Sequence, residues 1–90
     1  MGRREEALPM YERALAGREK ALGPNHTSTL TSVYNKGVFH YQLDEFDLAS
    51  QLFQRAVDGY TATLGATHAE TLDAKRRLTN TQARLASTAL

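Results

Sequence analysis

The chain has 90 residues, which is enough for one small domain with a modest core. With 41% hydrophobic and 23% charged residues, its composition is that of an ordinary folded protein and far from that of disordered chains. A formal net charge of +1 argues against a dedicated nucleic-acid-binding protein, and the absence of cysteine excludes disulfides, thiolate catalysis and cysteine-ligated zinc in these 90 residues.

The start of the chain is charged rather than apolar. Residues 1–6 contain two arginines and two glutamates and have no apolar stretch of the kind found in signal peptides. No apolar run elsewhere approaches the roughly 20 residues needed to cross a bilayer. We therefore expect a cytoplasmic protein that does not bind membranes.

The strongest feature of the sequence is a segment that occurs twice. Residues 22–30 are LGPNHTSTL and residues 64–72, which lie 42 positions later, are LGATHAETL. Five of the nine positions are identical. Self-similarity at a fixed period of this size is typical of stacked supersecondary units. We therefore expect two copies of one unit, with Leu22 and Leu64 in equivalent surroundings.

An amphipathic helix is predicted before each copy of this segment, because apolar residues recur there at helical spacing. These residues are Ala7, Met10, Tyr11, Ala14, Leu15 and Leu22 in the first helix, and Ala49, Leu52, Phe53, Ala56, Val57, Tyr60 and Leu64 in the second. The same 42-residue offset carries Ala7 onto Ala49 and Tyr11 onto Phe53. The two helices are therefore copies of one element.

Proline interrupts the first of these helices. Pro9 has no N–H to bond back one turn, although such a loss is tolerable near a helix start. We expect residues 3–8 to be frayed or kinked, and regular helix over residues 9–22.

Both helices are predicted to end at glycine, since Gly23 and Gly65 suit the left-handed position that follows a helix. The next helix begins within a few residues. In the second copy, Thr67 followed by Glu70 has the spacing of a capping box.

In the first copy, Asn25 or Thr27 could cap the next helix. His26 and His68 recur one period apart. This repetition indicates that each histidine orders an interhelical turn, rather than binding a metal or acting as a base.

A helix over about residues 28–43 follows the first copy of the segment. Its core positions are Leu30, Val33, Tyr34, Gly37, Val38 and Tyr41. Gly37 costs about 1 kcal/mol relative to alanine in a helix interior, so we expect a neighbouring helix to approach closely there. The link over residues 43–46 is short enough to require an antiparallel helix pair. Asp44 tolerates a left-handed backbone and could also cap the third helix.

The last helix, over about residues 69–88, is more polar. Its narrow apolar line consists of Ala74, Leu78, Leu85 and Ala89. A polar helix at one end of a stack suits a terminal cap whose outer face meets water. No segment alternates as a strand does. The sequence therefore predicts an all-α fold of four helices.

These features resemble the tetratricopeptide repeat (TPR), in the 42-residue form found in kinesin light chains. The residues that match the family pattern are Leu22, Gly23, His26, Thr29, Leu30, Asn35, Phe46, Ala49, Leu52, Phe53, Arg55 and Ala56. The resemblance implies antiparallel helix hairpins, each a helix A followed by a helix B, stacked as a right-handed superhelix. It also implies one domain over residues 1–90, with a lone helix B at about 4–22, a full repeat at about 29–64 and a lone helix A at about 69–88.

The resemblance also implies a binding surface, because repeats of this family bind peptides in a concave groove lined by their A helices. The candidate groove residues are Tyr34, Asn35, Val38, Tyr41, Arg76, Arg77, Asn80 and Arg84. In related proteins an Asn at the position of Asn35 contacts peptide backbone or carboxylates, and arginines on this face could bind a carboxylate in bidentate fashion. The expected partner is a protein or peptide, acidic ones included. The alternative is a solvated charged face on a capping helix.

Catalytic motifs are missing from the sequence, which has no phosphate-binding Gly-rich loop, no G-x-S-x-G and no H-E-x-x-H. We expect an interaction scaffold and no enzyme, cofactor or metal. One alternative is a homo-oligomeric self-assembly element that joins the faces of helix one (Met10, Tyr11, Leu15) and helix four (Leu78, Leu85). Another is the ligand-sensing repeat tail of a larger signalling ATPase, since similar arrays follow nucleotide-binding domains in fungal signalling proteins.

Overall fold

A computed structural model of the chain describes residues 2–88, which form four α-helices joined by short turns. The helices are α1 (Gly2–Leu22), α2 (Thr27–Gln42), α3 (Phe46–Leu64) and α4 (Ala69–Thr88). There is no strand between residues 2 and 88. The prediction of an all-α fold with four helices is confirmed.

Each helix packs on the one that precedes it, so that α1 contacts α2, α2 contacts α3 and α3 contacts α4. Because the turns are only a few residues long, consecutive helices form antiparallel hairpins. The described part of the molecule is a slab of 38 × 34 × 16 Å. None of its helices combines the length and the apolar character needed to span a lipid bilayer.

The first helix continues through Pro9, so the predicted fraying of the residues before it is wrong. A proline costs one backbone hydrogen bond, and tertiary contacts on either side offset that loss. Arg4 forms an ion pair with Glu45 at 2.5 Å, and the ring of Tyr11 lies 5.3 Å from that of Phe39. These contacts fasten the first turns of α1 to the α2–α3 hairpin.

The turns use left-handed backbone where the sequence predicts it. Gly23 and Gly65 have φ angles of 93° and 96°, and Asp44 has a φ angle of 60°. Glu45 rather than Asp44 is the N-cap residue of α3, and its side chain makes no capping hydrogen bond. Instead the Glu45 carboxylate is 2.8 Å from Nδ1 of His40, whose ring is buried at the end of α2.

A histidine directly precedes each of the two A helices, α2 and α4, and acts as its N-cap residue. Nδ1 of His26 accepts a hydrogen bond from the Ser28 N–H at 3.1 Å, and Nδ1 of His68 accepts one from the Glu70 N–H at 3.2 Å. Each ring therefore satisfies a helix N–H that would otherwise have no partner. The structural role predicted for the two histidines is confirmed.

The other capping predictions are wrong. Asn25 lies before the helix start, Thr27 is already inside α2, and the cap of α4 comes one residue after Thr67. Nδ1 of histidine stands as far from the backbone as the Asn side-chain oxygen that usually fills this position, which explains why histidine can take it. Standard N-cap preferences favour Ser, Thr, Asp and Asn, so the sequence did not predict histidine as the cap.

The core lies between α2 and α3 and extends to α1 and α4. Its buried cluster consists of Leu15, Leu30, Val33, Ala56, Val57, Tyr60 and Ala74. Of the predicted core positions of α2, Leu30, Val33 and Gly37 are buried, whereas Tyr34, Val38 and Tyr41 are half-buried. The apolar line predicted for α4 is only partly described, because Ala89 lies outside residues 2–88.

Two glycines allow α2 and α3 to interlock. A Cβ at Gly37 would lie 2.8 Å from Cε1 of Phe53, so the close approach predicted there is confirmed, although a ring rather than a backbone fills the space. A Cβ at Gly59 would collide with the side chain of Leu30. Each helix thus has a glycine at the point where a large side chain of the other helix packs against it.

Helices α1 and α3, which are copies of one element, differ in how much of their surface other helices cover. Leu22 is 46% exposed, whereas its equivalent Leu64 packs against the core, so the prediction of equivalent surroundings is wrong. The reason is that α2 covers one side of α3, and no helix among residues 2–88 covers the same side of α1. Leu15 and Leu78 were predicted to lie on uncovered faces, but Leu15 is buried and Leu78 packs against the core.

Candidate functional site

A groove runs between α2 and α4, above one side of α3. The two helices point in the same direction, because α3 is antiparallel to both. At their N-terminal ends the groove forms a cavity of 490 Å³. It is lined by Thr31, Tyr34, Asn35, Tyr60, Ala69, Glu70 and Asp73.

Helical spacing brings the α2 residues of the cavity to one face, since residues three and four apart are neighbours on a helix. Thr31 lies one turn before Tyr34 and Asn35. The hydroxyl of Tyr60, from α3, is 2.9 Å from Oγ1 of Thr31. Tyr60 therefore forms the floor of the cavity, with its ring in the core and its hydroxyl at the groove.

A polar network joins α2 to α4 beside this floor. Tyr34 donates a hydrogen bond to Oδ2 of Asp73 at 2.5 Å, and Nε of Arg77 donates one to the Tyr34 hydroxyl oxygen at 2.9 Å. The Arg77 guanidinium also lies 5.8 Å from the centre of the Tyr34 ring. Arg76 pairs with the other Asp73 oxygen at 2.5 Å. The network fixes the orientation of four side chains.

The network also sets the protonation of the groove. The hydrogen bond from Tyr34 holds the pKa of Asp73 below its ordinary value, and the neighbouring arginines act in the same direction. Burial raises the pKa of Tyr34, and its bond to Asp73 adds to the rise. Burial likewise raises the pKa of Tyr60. At neutral pH the groove therefore holds an ionised carboxylate and two neutral phenols.

The C-terminal ends of α2 and α4 meet at an aromatic pair. The rings of Tyr41 and Phe46 lie edge to face with centroids 5.2 Å apart, and the Arg84 guanidinium lies 4.8 Å from the centre of the Phe46 ring. Cations bind well over aromatic faces. Arg84 belongs to a second cavity of 540 Å³, lined by Asp44, Glu45, Phe46, Asp47, Leu48, Arg84 and Leu85.

The structure places the predicted site residues in three groups. Tyr34 and Asn35 line the first cavity, and Arg76 and Arg77 join it through the network. Tyr41 and Arg84 meet at Phe46. Val38, which is half-buried, and Asn80, which is exposed, line neither cavity. The groove role of all eight residues stays a prediction.

Tyr60 and Glu70 line the first cavity but were not predicted to do so. Tyr60 was counted as core, and Glu70 was given only a capping role. No sequence signal existed for Tyr60, whose hydroxyl reaches the groove only in three dimensions.

Charge is unevenly distributed along the α4 side of the groove. Glu70 and Asp73 lie in its first half, whereas Arg77 and Arg84 lie further along. Along α4 the acidic residues thus precede the basic ones, but the cavity that contains Arg84 is also lined by Asp44, Glu45 and Asp47. In the part of the chain that the structure describes, no three His, Asp or Glu side chains come together in a way that could hold a metal ion.

A family model described as tetratricopeptide repeat matches residues 1–62. The matched part covers α1, α2 and most of α3, and the helix hairpins found here agree with that family. No curated protein and no solved structure matches the chain. The kinesin-light-chain-like form of the repeat stays a prediction. Because the match spans 62 of the 90 residues, the chain belongs to the tetratricopeptide repeat family.

Proposed function

We propose that this protein is an interaction module that binds a peptide segment of another protein in the groove between α2 and α4. The observation that carries the proposal is the network of Tyr34, Asp73 and Arg77, which fixes polar groups on both walls of an open cavity. Groups that are already ordered lose little entropy when a ligand binds. Such a surface suits recognition rather than passive solvation.

Asn35 supplies the contact to a peptide backbone. It is exposed at the rim of the cavity, and a side-chain amide both donates and accepts hydrogen bonds. An extended peptide carries donors and acceptors in alternation, so one amide can hold it without reading its sequence. The half-buried ring of Tyr34 beside Asn35 adds apolar contact area.

The charge along the groove favours one peptide orientation. A basic group fits best beside Glu70 and Asp73, and a carboxylate fits best beside Arg77. Asp73 already pairs with Arg76, which leaves less positive charge for an acidic partner than the count of arginines suggests. The proposed ligand is therefore a peptide with both charges, rather than a uniformly acidic one.

Peptides selected from a random displayed library against the 90-residue chain provide the test. A selected peptide, labelled with fluorescein, is titrated with the chain and with its Asn35→Ala and Arg77→Ala variants. We expect each variant to weaken binding by about tenfold, the effect of losing one buried polar contact. Gln51→Ala, an exposed amide on α3, is the matched control and should bind as the parent does. Equal affinity in all four proteins, with unchanged circular dichroism, would rule out the groove.

Self-assembly through the terminal helices is less well supported. Of the five residues predicted to join copies, Leu15 is buried and Leu78 already packs within its own chain. The ATPase-tail alternative concerns domains outside these 90 residues, and it stays a prediction.

A further inference from the structure

The first cavity, at the N-terminal ends of α2 and α4, is lined by hydroxyl groups whose hydrogens are used within the chain. Oγ1 of Thr31 donates its hydrogen to the Thr27 carbonyl oxygen at 3.0 Å, because a carbonyl oxygen can only accept. The hydroxyl of Tyr60, which lies 2.9 Å from the same Thr31 oxygen, is therefore the donor in that contact. The Tyr60 oxygen keeps its lone pairs for a further donor.

Tyr60 presents this acceptor to the cavity from within the core. The residue is only 3% exposed, yet it is one of those that line the cavity. Its hydroxyl is satisfied as a donor, but no N–H or O–H of the described residues reaches its oxygen. Buried polar atoms usually have their hydrogen-bonding capacity filled. The floor of the cavity therefore suits a ligand group that donates.

Two carboxylates stand beside this oxygen, on the α4 wall of the cavity. Burial raises the pKa of Tyr60, and the negative charges of Glu70 and Asp73 add to the rise, so both carboxylates act on the floor. Asp73 already accepts hydrogen bonds from Tyr34 and Arg76. The exposed carboxylate of Glu70 pairs with no other side chain in the described part of the chain. Glu70 is therefore the carboxylate that is free to bind a ligand.

Positive charge is missing from the lining itself, since none of the described residues that line this cavity is a lysine or an arginine. Arg76 and Arg77 lie nearby, but their hydrogen bonds to Asp73 and Tyr34 hold them beside the wall. The amide of Asn35, at the rim, is the remaining side-chain donor of the lining. The cavity thus offers oxygen acceptors and negative charge to a ligand.

We propose that the first cavity binds the side chain of an arginine in the peptide that occupies the groove. A guanidinium group has only donors and a permanent positive charge, which is the complement of this lining. Its planar fork of N–H groups can bind the Glu70 carboxylate and the Tyr60 oxygen together. The ammonium group of lysine lacks that fork and is more strongly hydrated, so it fits less well. This inference rests on the proposed function, because the arginine belongs to the groove peptide.

Glu70 also has a role that needs no ligand. It lies in the first turn of α4, where a carboxylate is stabilised by the helix dipole. Glu5 has the same place in the first turn of α1 and is likewise exposed, but it does not line the first cavity. Glu5→Gln therefore serves as the matched control for Glu70→Gln, since both remove one negative charge from the start of a helix.

Small probes test the cavity without a peptide. Nα-acetyl-arginine amide and its uncharged analogue, Nα-acetyl-citrulline amide, are titrated into the ¹⁵N-labelled 90-residue chain. We expect the arginine probe to give saturable backbone shifts at Thr31, Tyr60, Glu70 and Asp73, at the millimolar concentrations that suit so small a ligand. The citrulline probe, which keeps the size but not the charge, should bind about fivefold more weakly. Glu70→Gln should weaken binding of the arginine probe by a similar factor, and Glu5→Gln should leave it unchanged.

A second arm uses the library-selected peptide. Replacing its arginine by citrulline should weaken binding to the parent chain but not to Glu70→Gln, whereas Asn35→Ala should weaken both peptides alike. Selected peptides without arginine, or equal binding of the arginine and citrulline forms, would overturn the arginine site and leave the groove standing if Asn35→Ala still weakens binding. The arginine site is also overturned by absent or non-saturable shifts with the arginine probe, by equal binding of Nα-acetyl-lysine amide, or by equal effects of Glu5→Gln and Glu70→Gln.

Discussion

The side chain of Leu30 on α2 occupies the space where a Cβ would lie at Gly59 on α3. Leu30 is completely buried, and Gly59 is buried as well. At the equivalent position of α1, Gly17, an added Cβ would have no atom within 4 Å. The two equivalent glycines therefore differ in the space available for a larger side chain, so alanine at each position tests the packing.

We predict that Gly59→Ala and Gly17→Ala change stability in opposite directions. Alanine at position 59 must displace Leu30, and overpacking of this kind costs about 1–3 kcal/mol. Alanine at position 17 meets no atom and should raise the free energy of unfolding by up to about 1 kcal/mol, because it favours the helix. Urea unfolding followed by circular dichroism measures both. Stabilisation by Gly59→Ala would show that α2 and α3 do not interlock as described.

The histidine caps make a second prediction. His68→Ala removes the acceptor of the Glu70 N–H and should lower the free energy of unfolding by about 1 kcal/mol. His68→Asn retains an acceptor at a similar distance from the backbone and should restore most of the loss. The same pair of substitutions at His26 should behave alike, since its ring caps Ser28. If alanine and asparagine gave the same stability, the cap would contribute nothing.

Two buried hydroxyl groups make a third prediction. Oγ1 of Thr29 and Oγ1 of Thr71 are buried without a hydrogen-bond partner among the described residues, and they are equivalent positions of the two copies. Replacing a buried, unpaired hydroxyl by a methyl group of the same shape removes a desolvation cost of about 1–3 kcal/mol. We therefore expect Thr71→Val and Thr29→Val each to raise the midpoint of thermal unfolding. Thr67→Val, at an exposed site, should not change it.

The fold was predictable because its determinants are periodic. The spacing of apolar residues identified four helices, and the segment around Gly23 and Gly65 identified the repeat and its turns. Departures came where a contact distant in sequence decides the outcome. Helix α1 is continuous through Pro9, and Arg4 in its first turn forms an ion pair with Glu45.

The site was predictable only in part. Tyr34, Asn35, Arg76 and Arg77 were found by position within the repeat, which places them on one face without showing what each one binds. The hydrogen bond from Tyr34 to Asp73 could not be predicted, because it depends on the distance between α2 and α4. Arg76 pairs with Asp73 within α4. The expectation of an acidic partner, which rests on the arginines, stays a prediction.

Acid titration gives a fourth prediction. The pKa of Asp73 is lowered in the folded chain, first by the hydrogen bond from Tyr34. A carboxyl group with a lowered pKa stabilises the fold above its ordinary pKa, and this contribution is lost as the pH falls from the ordinary pKa through the lowered folded-state pKa. The free energy of unfolding of Asp73→Asn should consequently fall less than that of the parent as the pH is lowered through this window.

The pKa of Glu45 is also lowered, through its hydrogen bond with His40, so the parent and the Asp73→Asn variant share that acid-sensitive contribution. The difference between their pH profiles therefore isolates Asp73. Parallel profiles for the two proteins would mean that the bond between Tyr34 and Asp73 does not persist in solution.

Peptide binding in the groove between α2 and α4 can be tested by locating the residues that respond to the ligand. The most direct measurement is a chemical-shift map of the ¹⁵N-labelled 90-residue chain during titration with a library-selected peptide. We predict that the largest backbone shifts fall at Thr31, Tyr34, Asn35, Asp73 and Arg77, with little change along the outer side of α3 at Gln51 and Gln54. Shifts confined to that outer side, with the groove residues unmoved, would contradict it.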